Sequence, residues 1–289
     1  MSSVGAQTPQ RQRISKKSIQ IILAVVFVLL ILCIALSVWQ IVTQINQNSR
    51  TEVVAIVETK RAKYTTIIPQ TRLAALPSSM LKAAKRVSIS NSPVVDIITS
   101  FISDEEADQI LELAKGRYLP STTMANDVNS TGKDRTSWSA FLTSKSDSES
   151  DVLKAVKRRA SELAQVPLDY IEPLQIVKYQ KGEYYRQHYD YLDENTNEVK
   201  QFGQRTITIL VYLNSLTKED GGCTRFHVLD HAATPVKGSA LFWHNVTPSG
   251  NLDARTLHSG EPILNDECTK YCINVWIREK SQSGRNLGV

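Results

Sequence analysis

Residues 182–191 read Gly-Glu-Tyr-Tyr-Arg-Gln-His-Tyr-Asp-Tyr, and the His188-Tyr189-Asp190 segment within them decides how the rest of the chain is interpreted. The pattern predicts an extended strand over residues 184–191. Side chains alternate between the two faces of a strand, so His188 and Asp190 are expected to point the same way. An imidazole and a carboxylate on one face can bind a single metal ion together.

Two further residues, far downstream in the sequence, complete the predicted site. His258 lies in a predicted strand over residues 256–259, and Lys270 leads into another over residues 271–278. Two histidines and one carboxylate form the ligand set of non-heme Fe(II) enzymes, whose open positions take a co-substrate and O₂. A buried ammonium without an anion is costly, so Lys270 is expected to pair with a carboxylate of that co-substrate.

Each of these residues also has a purely structural interpretation. His188 and Asp190 could form an ordinary half-buried pair on a strand, because an isolated His-x-Asp sequence is a weak signal. Lys270 could lie at the solvated end of its strand. Its parity with Cys272, Asn274 and Trp276 instead places all four side chains on one face of the strand.

The remaining pattern predicts an α+β fold. A strand over residues 94–98 precedes a helix with Ser103 as its N-cap and acidic residues in its first turn. A second helix is predicted over residues 148–164 from its apolar spacing. Further strands are predicted over residues 174–179, 184–191, 205–213, 240–245, 256–259 and 271–278. Helices followed by a run of strands indicate a sheet-on-sheet barrel or jelly roll that carries the site.

The N-terminal region predicts a membrane anchor. Residues 18–49 contain no charged residue, and residues 19–42 are almost continuously apolar. About 20 apolar residues span a bilayer as a helix, whereas signal peptides have apolar cores of roughly 7 to 15 residues. We therefore expect a transmembrane signal-anchor over residues 18–42, with cleavage after Ser37 as the alternative.

The flanking charges predict the orientation of that anchor. Basic residues precede the apolar segment, so the positive-inside rule keeps residues 1–17 in the cytoplasm and places the C-terminal body across the membrane. The expected protein is a single-pass type II membrane protein with its body in the endoplasmic reticulum or Golgi lumen. Residues 43–90 are interpreted as a stem, residues 91–282 as the folded domain and residues 283–289 as a tail.

Composition excludes one class of partner and limits covalent cross-links. The first 50 residues hold five of the 34 basic residues and none of the 29 acidic ones, so the rest of the chain is neutral. A nucleic-acid footprint requires clustered positive charge, which this body lacks. Cys223, Cys268 and Cys272 allow at most one disulfide in the body, and their pairing is left open. Asn129 heads a plausible glycosylation sequon, whereas the sequon at Asn245 adjoins an apolar strand and is discounted.

Several ordered segments resemble a known family. They are residues 175–179, 182–191, 205–214, 221–226 and 237–243, with Arg135-Thr136-Ser137 upstream. Together they resemble the catalytic domain of the prolyl 4-hydroxylases, which are iron- and 2-oxoglutarate-dependent dioxygenases acting on peptidyl proline. The resemblance covers about residues 92–280.

The resemblance implies a role for each matching residue. It implies that His188, Asp190 and His258 are catalytic and bind Fe(II), and that the catalytic residue Lys270 pairs with the distal carboxylate of 2-oxoglutarate. Tyr179, Thr208 and Trp276 match cofactor-binding positions of the co-substrate pocket, although simple core packing would also explain them.

The resemblance also implies a fold, cofactors and a partner. It implies a double-stranded β-helix (jelly-roll) core flanked by helices, and Fe(II), 2-oxoglutarate, O₂ and L-ascorbate as cofactors. The partner would be a proline-containing peptide or protein, with loops over residues 117–133 and 193–204 placed to close over it. A non-catalytic jelly-roll binding module, or a dioxygenase acting on another residue such as lysine, remains the alternative.

This sequence departs from the family pattern in two places. Cys223 stands where an acidic residue is usual after the glycine pair, and two extra residues separate His258 from Lys270. The assignment of Lys270 therefore depends on the better-matched residues 274–277 that follow it. Neither departure changes a predicted iron ligand.

Overall fold

The computed structural model describes residues 84–122 and 134–285, together with the single residue Gln40. These two stretches belong to the second of two units into which the chain divides, residues 60–289. Apart from Gln40, the predicted membrane anchor lies outside the described residues, and so does the sequon at Asn129. Within the described residues, no helix is long and apolar enough to cross a membrane.

Twelve strands, β1 to β12 in chain order, form the described core. They are Lys85–Asn91, Val94–Thr99, Leu119–Pro120, Trp138–Phe141, Gln175–Tyr179, Tyr185–His188, Arg205–Tyr212, Thr224–Phe226, His231–Ala233, Ala240–His244, His258–Gly260 and Lys270–Arg278. The larger sheet has the order β1-β2-β10-β7-β12-β5-β4-β3, and the smaller one has the order β6-β11-β8-β9. All strand pairs are antiparallel, as the predicted jelly-roll core requires.

The central strand β7 shows how the larger sheet is buried on both faces. All eight of its residues are buried. Ile207, Ile209 and Val211 pack with the helices in one apolar cluster. Leu210 and Tyr212 belong to a second cluster, which also contains Phe226 of the smaller sheet. The alternation of a strand thus sends successive side chains into two different cores.

Helices accompany the strands, and the two longest of them bury their apolar residues in the same cluster as Ile207, Ile209 and Val211. In the described residues they are α1 (Asp104–Ala114), α2 (Lys145–Glu149), α3 (Asp151–Ala164) and α4 (Asn197–Phe202), with short 3₁₀ turns at Leu168–Tyr170 and Ala254–Thr256. Ser103 caps α1 through a capping box with Glu106, which confirms the predicted start of this helix.

The predicted helix over residues 148–164 is divided in two. Ser150 is extended, with φ −61° and ψ 122°, and separates α2 from α3. The earlier start has a local cause, because Ser144 and Asp147 form a second capping box that begins α2. Asp147 also pairs with Arg117 at 2.7 Å, which fixes this short helix to the segment after α1.

Several elements differ from the sequence-based predictions. Strand β1 lies within the predicted stem and pairs with β2. The predicted loop over residues 117–133 contains β3, and its residues 123–133 lie outside the described part, while the loop over residues 193–204 contains α4. Strand β6 ends at His188, so Asp190 lies beyond the strand, contrary to the prediction. The short strands β3, β8 and β9 have only two or three residues, too few for an alternating pattern to be recognised.

Candidate metal centre

His188 and His258 are brought together by strand pairing. His188 ends β6 and His258 begins β11, and the two residues are directly opposite in the antiparallel register. Their ring centroids lie 4.2 Å apart. Backbone hydrogen bonding between two short strands therefore brings together two histidines that are far apart in the sequence.

Asp190 completes the group from just beyond the strand. One carboxylate oxygen, Oδ1, is 3.8 Å from His188 Nε2, and the other, Oδ2, is 3.8 Å from His258 Nε2. One ligand atom from each of the three residues lies within 4.8 Å of the others. The predicted convergence is observed, although the chain reaches it through a bend after β6 rather than through strand alternation.

The second nitrogen of each imidazole is held by a backbone carbonyl. His188 Nδ1 is 2.7 Å from the carbonyl oxygen of Arg186, and His258 Nδ1 is 2.9 Å from that of Thr256. A carbonyl only accepts, so Nδ1 carries the hydrogen, and Nε2 is the ring nitrogen that faces Asp190. Burial, and then the neighbouring His258, lower the pKa of His188 to about 3. The neutral imidazole is the form that binds metals.

The Asp190 carboxylate is ionised in this setting. Burial by itself would raise its pKa, but His258, His188, Arg205 and a hydrogen bond from Thr208 together hold the pKa below its ordinary value. The Thr208 hydroxyl donates to Oδ2 at 2.8 Å. The site therefore offers two imidazole nitrogens and one anionic carboxylate.

Lys270 is a buried cation without a matching anion. It begins β12 opposite Tyr179, and it is 2% exposed. Its ammonium donates to the Thr224 hydroxyl at 3.4 Å and lies 5.4 Å and 5.7 Å from the ring centroids of Tyr179 and Tyr212. Among the described residues, no carboxylate lies within 4.0 Å of it. Burial lowers its pKa, which is the electrostatic cost of this arrangement.

Lys270 and the metal-binding group border the same interior. His258 contacts Phe226 and Trp243, with ring centroids 5.7 Å and 4.9 Å away. These two aromatic residues share one apolar cluster with Tyr179 and Tyr212, the rings beside Lys270. The two groups match the two ends of a ligand that has a metal-binding end and an anionic end.

The predicted pocket residues have different surroundings. Tyr179 lies beside Lys270. Trp276 is buried with the Arg205 guanidinium 3.6 Å from its ring centroid, and its indole nitrogen has no hydrogen-bond partner in the described structure. Thr208 lies opposite Trp276 on the neighbouring strand. Their roles in co-substrate binding stay predictions, and the Thr208 hydroxyl hydrogen is committed to Asp190.

Sequence reasoning missed residues that the tertiary structure places at the site. Thr224 accepts from both Lys270 and the Tyr212 hydroxyl, the latter at 2.9 Å. Arg135 is buried with its guanidinium 4.7 Å from the Tyr185 ring centroid. Thr224 follows Gly221-Gly222-Cys223 in the segment over residues 221–226 that resembles the family, so that segment was the available signal.

The other described histidines and cysteines lie outside the metal-binding group. His227, His231 and His244 do not join the metal-binding group. Cys223, Cys268 and Cys272 are free thiols, and Cys272 is buried in the core. No disulfide therefore forms among these three cysteines.

The donor set fits an iron ion. Two imidazoles and one carboxylate form the facial ligand set of non-heme Fe(II) sites, which leaves positions for other ligands. The uncompensated Lys270 fits one carboxylate of a dicarboxylate such as 2-oxoglutarate. Both halves of the proposed co-substrate thus have a matching group in this interior.

Comparisons with known proteins agree with this geometry. A family model described as the 2OG-Fe(II) oxygenase superfamily matches residues 174–278. The chain is 34% identical over 213 residues to prolyl 4-hydroxylase subunit alpha-3 of Rattus norvegicus, a match that covers 72% of this chain and 38% of the relative. It is 30% identical over 211 residues to prolyl 4-hydroxylase 1 of Arabidopsis thaliana, with 68% and 72% covered.

A solved structure and the relative lengths complete the comparison. The viral collagen prolyl hydroxylase of Paramecium Bursaria Chlorella virus-1, in its 2OG complex, is 26% identical, with a TM-score of 0.49. That match covers 63% of this chain and 94% of the viral protein. The chain spans 38% of the length of the rat alpha-3 subunit, which is therefore a much longer protein.

Proposed function

The chain belongs to the prolyl 4-hydroxylase family, and from this premise we propose that it converts peptidyl proline to 4-hydroxyproline. The reaction is coupled to oxidative decarboxylation of 2-oxoglutarate to succinate and CO₂. Family membership implies Fe(II), 2-oxoglutarate, O₂ and ascorbate as its cofactors. The observation that carries the proposal is the His188-Asp190-His258 group, which shares one interior with the uncompensated Lys270.

The protein's contribution is binding, orientation and exclusion of water. His188, Asp190 and His258 would hold Fe(II), which when bound supplies the O₂ chemistry that side chains cannot perform. Lys270 would attract the distal carboxylate of 2-oxoglutarate, and Thr224 would orient the ammonium. A carboxylate that replaces water around a buried ammonium makes a strong charge-assisted hydrogen bond.

The phenols beside Lys270 remain neutral donors. Burial raises the pKa of both Tyr179 and Tyr212, so neither loses its proton at neutral pH. The apolar cluster around them limits access of water to the co-substrate. These residues therefore favour a dicarboxylate held in one orientation.

The test uses the purified full-length chain with Fe(II), ascorbate, 2-oxoglutarate and a panel of proline-rich peptides. We expect a mass gain of one oxygen atom on proline with one succinate formed for each, and NMR of the product will identify the hydroxylated ring carbon. His188→Ala and Asp190→Ala should abolish both products. A variant at either position that still makes succinate with added peptide would refute the iron-site assignment.

The same assay separates the alternatives. A dioxygenase specific for lysine would modify lysine-containing peptides and leave proline unchanged. A non-catalytic module would bind peptide but form no succinate. The ionic balance of the chain gives no support to a nucleic-acid substrate.

We further propose that the chain is a single-pass type II membrane protein with its catalytic domain in the endoplasmic reticulum or Golgi lumen. The uncharged apolar segment over residues 18–42 and the basic residues before it support this topology. Protease protection of the body in intact microsomes tests it. Glycosidase-sensitive mass that disappears in Asn129→Gln would support the lumenal position, and full digestion of the body without detergent would refute it.

A further inference from the structure

Three fully buried side chains stand behind Asp190 in a continuous hydrogen-bonded series. Trp243, Asn245 and Thr208 are each 0% exposed. The Trp243 indole donates to Asn245 Oδ1 at 2.8 Å, the Asn245 amide donates to Thr208 Oγ1 at 2.9 Å, and Thr208 donates to Asp190 Oδ2 at 2.8 Å. We refer to Trp243, Asn245 and Thr208 as the relay.

The direction of every hydrogen bond in the relay follows from its first member. An indole N–H only donates, so the Asn245 oxygen must face Trp243 and the Asn245 NH₂ must face Thr208. The Thr208 oxygen accepts from that amide, which leaves its single hydrogen for Asp190. The orientation of the Asn245 amide and of the Thr208 hydroxyl therefore follows from the indole N–H of Trp243, which can only donate.

The relay also explains why the sequon at Asn245 is not available for glycosylation. Both polar atoms of the Asn245 side chain are engaged in the core, so this asparagine is inaccessible for modification in the folded protein. Its polar side chain in an apolar core is instead satisfied entirely within the relay.

We propose that the relay is a positioning device for the metal ligand Asp190. Thr208 binds Oδ2, and among the described residues no other side chain donates a hydrogen bond to this carboxylate. Asp190 is thereby directed to bind a metal through one oxygen while the other stays engaged with Thr208. One-oxygen binding keeps further metal positions open for co-substrate and O₂.

This inference gives Thr208 a different role from the one implied by family resemblance. In this role Thr208 acts on the metal site through Asp190. The proposed role of the relay rests on the proposed function only because that function places a metal at His188, Asp190 and His258. Partners outside the ligand shell commonly change metal affinity by about 10–100-fold.

The test compares three variants of strand β7 with the wild-type full-length chain. Thr208→Val removes the donor at nearly constant volume, and Thr208→Ser restores it. Thr206→Val is the matched control, because Thr206 lies on the same strand, is buried and donates to the Ile277 carbonyl at 3.4 Å, away from Asp190. Each protein is titrated anaerobically with Co(II), without 2-oxoglutarate, while the visible absorption spectrum is recorded.

We expect Thr208→Val to weaken Co(II) binding by about 10–100-fold and to change the spectrum, since a freed carboxylate can bind through both oxygens. Thr208→Ser and Thr206→Val should stay within about threefold of wild type with unchanged spectra. Trp243→Phe, at the far end of the relay, should have a smaller effect of about 2–10-fold.

Two outcomes would overturn the inference. One is Thr208→Val binding Co(II) with the wild-type affinity and spectrum. The other is Thr206→Val weakening Co(II) binding as much as Thr208→Val, which would indicate a general loss of packing. The proposed function can fail separately. If Co(II) binding depends on Thr208 as expected but the wild-type protein hydroxylates no proline, the proposed function is refuted and the inference about the relay is retained.

Discussion

Strand β12 begins with one buried cation and ends with another, and the two are treated in opposite ways. Lys270 is 2% exposed and Arg278 is 0% exposed. Arg278 forms ion pairs with Glu172 and, at 2.8 Å, with Glu198. Within the described part of the chain, the only hydrogen-bond partner of the Lys270 ammonium is the Thr224 hydroxyl at 3.4 Å. One strand therefore carries a compensated charge at one end and an uncompensated charge at the other.

The compensated end is part of a larger ion cluster. Glu172 also binds Arg205 at 2.7 Å and lies 3.5 Å from Arg285. Burial would raise the pKa of Glu172, but Arg205 and Arg278 outweigh it and lower the pKa to about 2. Such a cluster is satisfied by the fold itself. The contrast teaches that the charge without a partner at Lys270 is the one prepared for a ligand.

Removing the central carboxylate of the ion cluster should have the largest effect. Glu172→Gln leaves Arg205 and Arg278 buried without their shared anion, so we expect the free energy of unfolding to fall by about 3–5 kcal/mol. Urea denaturation followed by circular dichroism measures it. A loss below about 1 kcal/mol would show that the cluster is hydrated and weak, and would remove the contrast with Lys270.

Lys270→Met should change binding and stability in opposite directions. We expect the affinity for 2-oxoglutarate to fall by about 100-fold or more, since the distal carboxylate loses its buried charge partner. The free energy of unfolding of the ligand-free protein should rise by about 1–2 kcal/mol, because an apolar isostere removes an uncompensated buried charge. Calorimetric titration and urea denaturation of the same preparations measure both quantities. Unchanged 2-oxoglutarate affinity would contradict the assignment of Lys270.

The two ends of β12 should respond to pH in opposite senses. Glu172 has a folded pKa of about 2 against an ordinary 4.5, so its stabilisation is present above pH 4.5 and is lost as the pH falls toward 2. The pKa of Lys270 is lowered from 10.5, so its destabilisation is present at neutral pH and is relieved as the pH rises toward 10.5. The pH dependence of the free energy of unfolding should therefore have a weaker acid limb in Glu172→Gln and a weaker alkaline limb in Lys270→Met. Identical profiles for the two variants would be inconsistent with this difference.

Removing an exposed ion pair should have the smallest effect on the free energy of unfolding. Lys181 and Asp266 form an ion pair whose side chains are more than half exposed. Because water screens such pairs, Asp266→Asn should leave the free energy of unfolding close to that of the wild type. The same denaturation experiment provides the measurement. A loss as large as that of Glu172→Gln would mean that burial is not what distinguishes the ion cluster.

The sequence predicted the elements whose patterns are local and long. The capped helix α1 and the buried strands β5, β7, β10 and β12 were predicted close to their observed bounds. The metal-binding group was also predicted, because His188 and Asp190 are only two positions apart and can be recognised as a pair of ligands. The prediction that both lie on one strand was wrong, since β6 ends at His188.

Other features depend on contacts between distant parts of the chain. Helix α2 is held in place by the ion pair of its Asp147 with Arg117, which lies 30 residues earlier in the chain. Strand β1 forms because it pairs with β2, and its mostly exposed side chains give no apolar alternation to recognise. Thr224 approaches Lys270 only because β8 and β12 belong to facing sheets.

The sequence by itself determined the chemical components of this protein: two histidines, a carboxylate and a lysine in an ordered family pattern, preceded by a long apolar segment. Only the tertiary structure decided which of them meet and which charges are compensated. The register of β6 against β11 joins His188 to His258, and the core aligns Trp243, Asn245 and Thr208 behind Asp190. The physical reason is that side-chain periodicity is a local property, whereas burial, hydrogen-bond direction and charge compensation are set by neighbours far away along the chain.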